Sequence, residues 1–287
     1  MKEARIVKKQ PLQPVVESKK SLFNFSRKQL CIPYGLFLVF FVIFPLLLIV
    51  YYAFTNGTGD FTLENFGAFF QDTTKISTLI ISVFVSALVT FLCLLIAYPV
   101  AYVLSRMNGK TAFVLLLLFI LPTWLNFVLR AMAMKEVLSL IGVPLGNGAS
   151  IIGLVYDFLP FMIMPLYSTL IKMDKSFEEA AADLGANKTK VFFNVTLPLS
   201  IPGIISGAMM VFLPVMSCYV ITDTFSGGSG FSLIGKLVAI CFLGVGGAPI
   251  QINDGAAIAL VMLVIMVITM SVTGGFKNSE NTRGTNL

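Results

Sequence analysis

The chain has 287 residues, 57% of them hydrophobic and only 12% charged, with a formal net charge of +6. Soluble domains carry about 25% charged residues, and a mean hydropathy of +0.90 leaves more apolar surface than one soluble domain of this length can cover. A soluble globular protein is thereby excluded, and an all-α integral membrane protein is the expected class.

Residues 1–31 form a polar, basic tail rich in Lys, Gln, Ser and Pro, expected to lie near anionic headgroups on the cytoplasmic side. No cleavable signal peptide is expected, because the first apolar run begins near Ile32 and is long enough to span. Six stretches reach the ~20 apolar residues that a helix needs to cross the hydrocarbon core. They are Ile32–Phe54, Ile76–Leu104, Thr111–Ala133, Ser150–Ile171, Ile201–Thr222 and Ala256–Gly275. The runs are continuous, without the two-residue alternation of membrane strands. A transmembrane domain over 32–275 and a polar C-terminal tail over 276–287 follow.

With the N-terminus inside, 1–31 holds eight Lys or Arg, 105–110 two, 172–200 four and 276–287 two, or 16 of the chain's 20 basic residues. The bias of basic residues toward cytoplasmic loops sets both termini in the cytoplasm. The positive charge therefore needs no nucleic-acid partner. Outside, Asn56–Lys75 carries Asp60, Glu64 and Asp72, which suit either a solvated loop or a contact with an external protein. The Gly-rich Thr224–Gly255 reads as a mobile loop or as a half-inserted element. Pro99, Pro122, Pro160, Pro165 and Pro214 are expected to interrupt helices.

The longest inner loop, 172–200, has the strongest local signals. Ser176 and Glu179 have capping-box spacing, Glu178–Ala182 propagates a helix, and Gly185 supplies a left-handed stop. Asn187 is an N-cap for a second short helix through Val195, which Pro198 ends. The result is two short helices around a glycine. The first presents a small Ala-rich surface flanked by Glu178, Glu179 and Asp183, as suits a ridge docking into a partner. An ordinary amphipathic surface loop shares these signals.

Glu179-Ala180-Ala181, Gly185, Val195 and Leu197-Pro198 together resemble the EAA motif of ATP-binding-cassette (ABC) importer permeases. Gly153–Tyr167 and Pro122–Arg130 are similar, more narrowly, to the permeases of bacterial spermidine/putrescine importers. The resemblance covers most of the chain from the first span onward. It implies the type I ABC importer permease fold, six spans with a cytoplasmic coupling helix in the loop 172–200. Glu178, Glu179, Ala180, Ala181, Ala182, Asp183, Gly185, Leu197 and Pro198 are then the ATPase-coupling residues. It also implies two ATPase subunits that carry ATP and Mg, a homologous second permease and an external substrate-binding protein. Asp157 stands where related permeases are expected to be apolar, so no role is carried over to it.

A cationic cargo calls for carboxylates and aromatic faces. Trp124, Arg130, Tyr156, Asp157, Tyr219 and Asp223 supply candidates for an outer pathway, and an unpaired Asp157 facing lipid would cost several kcal/mol. The alternative is an interfacial aromatic belt with an Asp157–Arg130 pair. The chain has no histidine, no phosphate-binding GxxxxGK[ST] and no metal-ligand spacing. Cys31, Cys93, Cys218 and Cys241 read as small hydrophobes. A non-catalytic subunit without cofactor or metal is expected, with ATP hydrolysed on another chain. Other readings are a permease for a different small cationic or organic solute, a secondary transporter or channel, and an intramembrane enzyme.

Overall fold

A computed structural model describes residues 31–226 and 230–283. The N-terminal tail up to residue 30, Gly227, Gly228 and Ser229, and the last four residues lie outside it. The chain divides into two compact units at Leu47/Leu48. Helix α1 (Cys31–Leu38), a π-helical turn (Val39–Ile43) and α2 (Phe44–Ala53) follow one another through that boundary. The rest of the second unit is built from helices, with a single isolated bridge between Thr55 and Phe61 among the described residues. After the short α3 (Glu64–Gln71) comes α4 (Thr73–Arg106), the longest helix at 34 residues. Its start is set by Asp72, whose Oδ1 accepts the Thr74 N–H at 2.8 Å.

Helix α4 shows how an evenly apolar sequence acquires an inside and an outside. Ser82, Val85, Ser86, Val89, Cys93, Ala97, Ala101 and Leu104 recur at three- and four-residue spacing, and all are buried. The opposite face exposes Ile80, Phe84, Phe91, Leu95 and Val103, an apolar surface suited to lipid. Thr78 and Ser82, Ser86 and Thr90 return their hydroxyl protons to carbonyls four residues earlier at 2.7–2.8 Å, which satisfies polar groups that hydrocarbon could not. Small residues on this stripe let neighbouring backbones approach.

Helix α7 (Asn147–Leu170) is the centre of the bundle, packed by α4 and by α11 (Ile201–Ser217) around Leu154, Met162, Ile163 and Leu166. Pro160 and Pro165 lie inside α7, Pro99 inside α4 and Pro214 inside α11, so these four prolines do not break their helices. Pro122 does mark a break. Helix α5 (Gly109–Ile120) tightens into a 3-10 turn over Leu121–Trp124, and α6 (Phe127–Leu140) leaves at 102°. Asn126 starts α6 afresh by accepting the Val128 N–H at 2.9 Å. The third span is therefore a bent pair and not a straight Thr111–Ala133 helix. Among the described residues, four helices are long and apolar enough to cross a membrane, and up to six spans result if each bent pair counts as one.

The fifth span also departs from expectation. Its helix ends at Ser217, Cys218 is extended, and α12 (Tyr219–Phe225) is a separate piece packed on α7 and α6. Beyond it, α13 (Ile234–Leu243) lies against α4, α11 and α14 (Ile252–Arg283), with Ile234, Gly235 and Ala239 buried. Part of this Gly-rich segment is thus an ordered helix packed on its own chain and not a loop throughout. The Ile234 N–H donates to Ser82 Oγ at 2.8 Å. Helix α14 runs to Arg283, past the expected end at Gly275.

Two glycine contacts set how close these helices come. A Cβ at Gly203 would sit 2.6 Å from Thr169 Oγ1, pressing α11 off α7, and one at Gly235 would sit 2.0 Å from the Ser217 carbonyl oxygen. The second clash is with backbone and cannot be relieved by a rotamer change. Gly235→Ala is expected to lower the thermal unfolding midpoint in detergent, with an overpacking cost of about 1–3 kcal/mol. Gly57→Ala, where an added Cβ meets nothing within 4 Å, is expected to leave the midpoint in place.

Candidate functional site

The inner loop folds as two short helices. Helix α8 is Ser176–Asp183 and α9 is Lys188–Val191. Its first cap differs from the expected Ser176/Glu179 box. Asp174 Oδ1 accepts the Ser176 N–H at 3.0 Å, because a carboxylate is a stronger acceptor than a hydroxyl. That bond holds the Asp174 carboxyl below its ordinary value. The depressed folded-state value means the contact is intact above the usual carboxylate range and is lost as pH falls below it.

At the other end of α8, Gly185 takes φ +83°. The Gly185 N–H reaches the Ala182 carbonyl at 2.9 Å and the Ala186 N–H reaches the Ala181 carbonyl at 3.1 Å. This is the paired closure that a left-handed residue permits. Asn187 caps α9 as expected, accepting the Lys190 N–H at 2.8 Å. A π turn (Phe192–Thr196) and the one-turn α10 (Leu197–Leu199) follow. The direction changes by 60° into α11 at Ser200, beyond Pro198 and not at it.

Glu179, Ala180, Ala182, Asp183 and Gly185 are exposed and Ala181 is half-buried. Phe177 and Leu184 are exposed beside them, Leu184 at 90%. Large apolar side chains left in water next to small ones mark an interaction surface, and neither Phe177 nor Leu184 was singled out by the motif. Pro198 is exposed and Leu197 half-buried. Glu178 behaves differently from the other acidic residues. Its carboxylate turns inward to pair with Arg106 at the end of α4, and the same Oε1 accepts the Thr196 hydroxyl at 2.9 Å.

On the other side of the bundle, Arg130 and Asp157 meet as a buried ion pair, with side chains 7% and 1% exposed. Arg130 Nη1 also donates to the Pro122 carbonyl at 3.1 Å, so one guanidinium joins both halves of the bent third span to α7. Asp157 Oδ2 is buried without a hydrogen-bond partner among the described residues. Asp223 is exposed and pairs with Lys236 of α13, within the Gly-rich segment Thr224–Gly255. Trp124 is 78% exposed beside the bend and Tyr156 37% exposed, while Tyr219 is half-buried at the start of α12. Among the described residues, no aromatic contact joins these three rings to another. The six outer candidates thus resolve into one buried pair, one exposed pair extended to Lys236, and separate aromatics. The described residues contain no cluster of acidic or cysteine side chains able to hold a metal.

Removing one partner of a buried pair strands the other charge. Asp157→Asn or Arg130→Gln alone is expected to destabilise by about 3–5 kcal/mol, whereas Arg130→Met with Asp157→Leu costs less than either. Thermal unfolding of the purified variants in detergent checks this. Single variants as stable as the parent would mean that the pair holds nothing.

Comparison with known proteins agrees with this geometry. The family described as binding-protein-dependent transport system inner membrane component matches residues 94–277. The spermidine/putrescine transport system permease protein PotB of Haemophilus influenzae is 36% identical over 258 residues, 82% of this chain and 88% of the relative. The protein of the same name from Escherichia coli is 34% identical over 82% of this chain and 92% of the relative. Among solved structures, a bacterial ABC transporter involved in import of the acidic polysaccharide alginate superposes with TM-score 0.60 at 17% identity, covering 86% of this chain and 94% of that one. The methionine transporter MetNI in inward-facing form gives TM-score 0.55 at 16% identity, covering 71% and 94%. The chain belongs to the binding-protein-dependent inner membrane component family and is a multi-pass ABC importer permease subunit with the type I fold.

Proposed function

We propose that this permease translocates polyamines, spermidine or putrescine, delivered by an external binding protein. The observation that carries the cargo assignment is the 36% identity to a spermidine/putrescine permease along most of both chains. Two ATPase subunits bind ATP and Mg, and a homologous second permease completes the pathway. The chain itself is non-catalytic. Both termini and the loop 172–200 face the cytoplasm, as the distribution of basic residues favours. In this reading the exposed Ala180, Ala182 and Leu184 seat in the ATPase, with Glu179 and Asp183 fixing register. ATP-driven closure of the ATPase pair draws the seated loops together and rocks the spans open to the outside; hydrolysis returns them.

The carboxylates suited to a polycation already have cationic partners on this chain. Asp157 is held by Arg130 and Asp223 by Lys236. Cargo ammonium groups therefore reach Asp223 by exchange with the Lys236 ammonium, an accessible and weakly held partner. Asp157 is buried with its counter-ion and belongs to the frame of the pathway. The aromatic faces of Trp124, Tyr156 and Tyr219 complete the candidate lining.

Labelled spermidine uptake into cells lacking this chain and its sister permease, restored by the two genes together, tests the assignment. Competition by putrescine but not by anionic or neutral solutes is expected. Competition by an unrelated solute class, with no polyamine uptake, would move the chain to the alternative of a permease for another solute. Asp223→Asn is expected to raise the half-saturating spermidine concentration, and Lys236→Gln to lower it, each by roughly two- to five-fold. Unchanged kinetics in both would remove Asp223 from the pathway.

A further inference from the structure

Helix α8 carries the proposed docking surface, yet it buries none of its side chains. Its seat on the spans is polar. Glu178 Oε1 receives Arg106 from the last residue of α4 and Thr196 from the far side of the same loop, so one carboxylate gathers the loop's beginning, its end and a membrane span. The two charged side chains are 31% and 17% exposed, sheltered enough to be screened less than a surface pair.

The contact extends along the last turns of α4. The Arg106 guanidinium lies 5.1 Å from the centre of the Tyr102 ring. Phe192, in the π turn, meets Tyr98 and Tyr102 edge-on, with ring centroids 5.7 Å apart in each case. The Tyr98 hydroxyl shares a hydrogen bond with Ser200 Oγ at 2.9 Å, at the 60° bend into α11. A cleft of about 410 Å³ opens beside α8, bounded by Tyr102, Arg106, Lys188 and Phe192 and by Glu179 and Ala182 of the helix itself. A helix with no fully buried side chain, tied through one carboxylate and flanked by open space, can tilt about that point.

We propose that Arg106 and Glu178 form the joint through which the docked loop moves α4, which makes them positioning residues for coupled transport. The inference rests on the permease reading and adds a route to it. Force from the ATPase enters α4 directly, alongside the covalent path through α11. Glu178 then serves this joint, and Glu179 and Asp183 are the acidic residues of α8 left for the partner.

The test uses the complete importer in proteoliposomes with its binding protein, measuring spermidine uptake per ATP hydrolysed. Arg106→Gln is expected to keep the ATPase subunit bound during purification while uptake per ATP falls on the order of ten-fold, the scale of a typical coupling energy. Arg106→Glu and Glu178→Arg are each expected to uncouple, and the double exchange to recover at least half of the lost ratio. Recovery by exchange is the readout that a merely stabilising contact elsewhere would not give. If the reversed-charge singles fail to accumulate, Glu178→Gln carries the comparison beside Arg106→Gln. Wild-type coupling in both neutral variants, or no recovery in an assembled double exchange, overturns the joint. If the unaltered chain retains no ATPase subunit or takes up spermidine without ATP, the permease reading itself fails.

Discussion

Hydrocarbon offers no partner for a backbone N–H or C=O, so a membrane span may break only where protein replaces the missing bonds. The two sharp bends among the described residues, and the entry to α13, carry such a replacement. At the third span, Asn126 caps α6 while Arg130 takes up the Pro122 carbonyl. At the fifth, the Ser200 hydroxyl bonds the Leu197 carbonyl at 2.8 Å and meets Tyr98 from α4. The buried entry to α13 finds its acceptor on Ser82. The interrupted spans are thus the places where separate helices are tied, and the features proposed for function gather there.

Charge follows the same logic. The four ion pairs among the described residues, Lys75–Asp254, Arg106–Glu178, Arg130–Asp157 and Lys236–Asp223, each join two different helices or their caps. Pairing lowers the penalty of placing ions in or near an apolar body, and joining separate elements makes each pair sensitive to relative helix motion. A bundle that has to rock needs contacts that hold one arrangement without fusing it. Polar ties between apolar helices provide that, because lipid competes with apolar packing but not with an ion pair.

Local signals carried the inner loop well. The glycine stop at Gly185 and the Asn187 cap depend on residues within a few positions, and both are found where spacing places them. The Ser176 cap failed because the helix begins one residue earlier, with Lys175 at the cap position and the Ser176 N–H turned to Asp174. Span existence was legible from apolar length, but continuity was not. Four prolines inside helices leave them whole, and the sharpest bend needed Pro122 and Asn126 acting together. Arg106–Glu178 spans 72 residues of sequence and Lys75–Asp254 spans 179, distances over which no spacing rule operates. An Arg130–Asp157 pair was foreseeable because both ions fall within apolar stretches, where an unpaired charge is costly.

Helix α4 has one further property. Its 34 residues make a rod about 50 Å long at 1.5 Å per residue, against a hydrocarbon thickness of about 30 Å. A helix of that length exceeds the hydrocarbon even when moderately tilted, which leaves its ends for the headgroup layers. A continuous helix of that length turning 10° about its middle would carry Arg106 through about 4 Å, by simple leverage on half its length. The opposite arc would fall on Asp72 and Lys75, and through Lys75 on Asp254 at the head of α14. A small angular change at the membrane centre is thus magnified at both surfaces, where soluble partners can meet it.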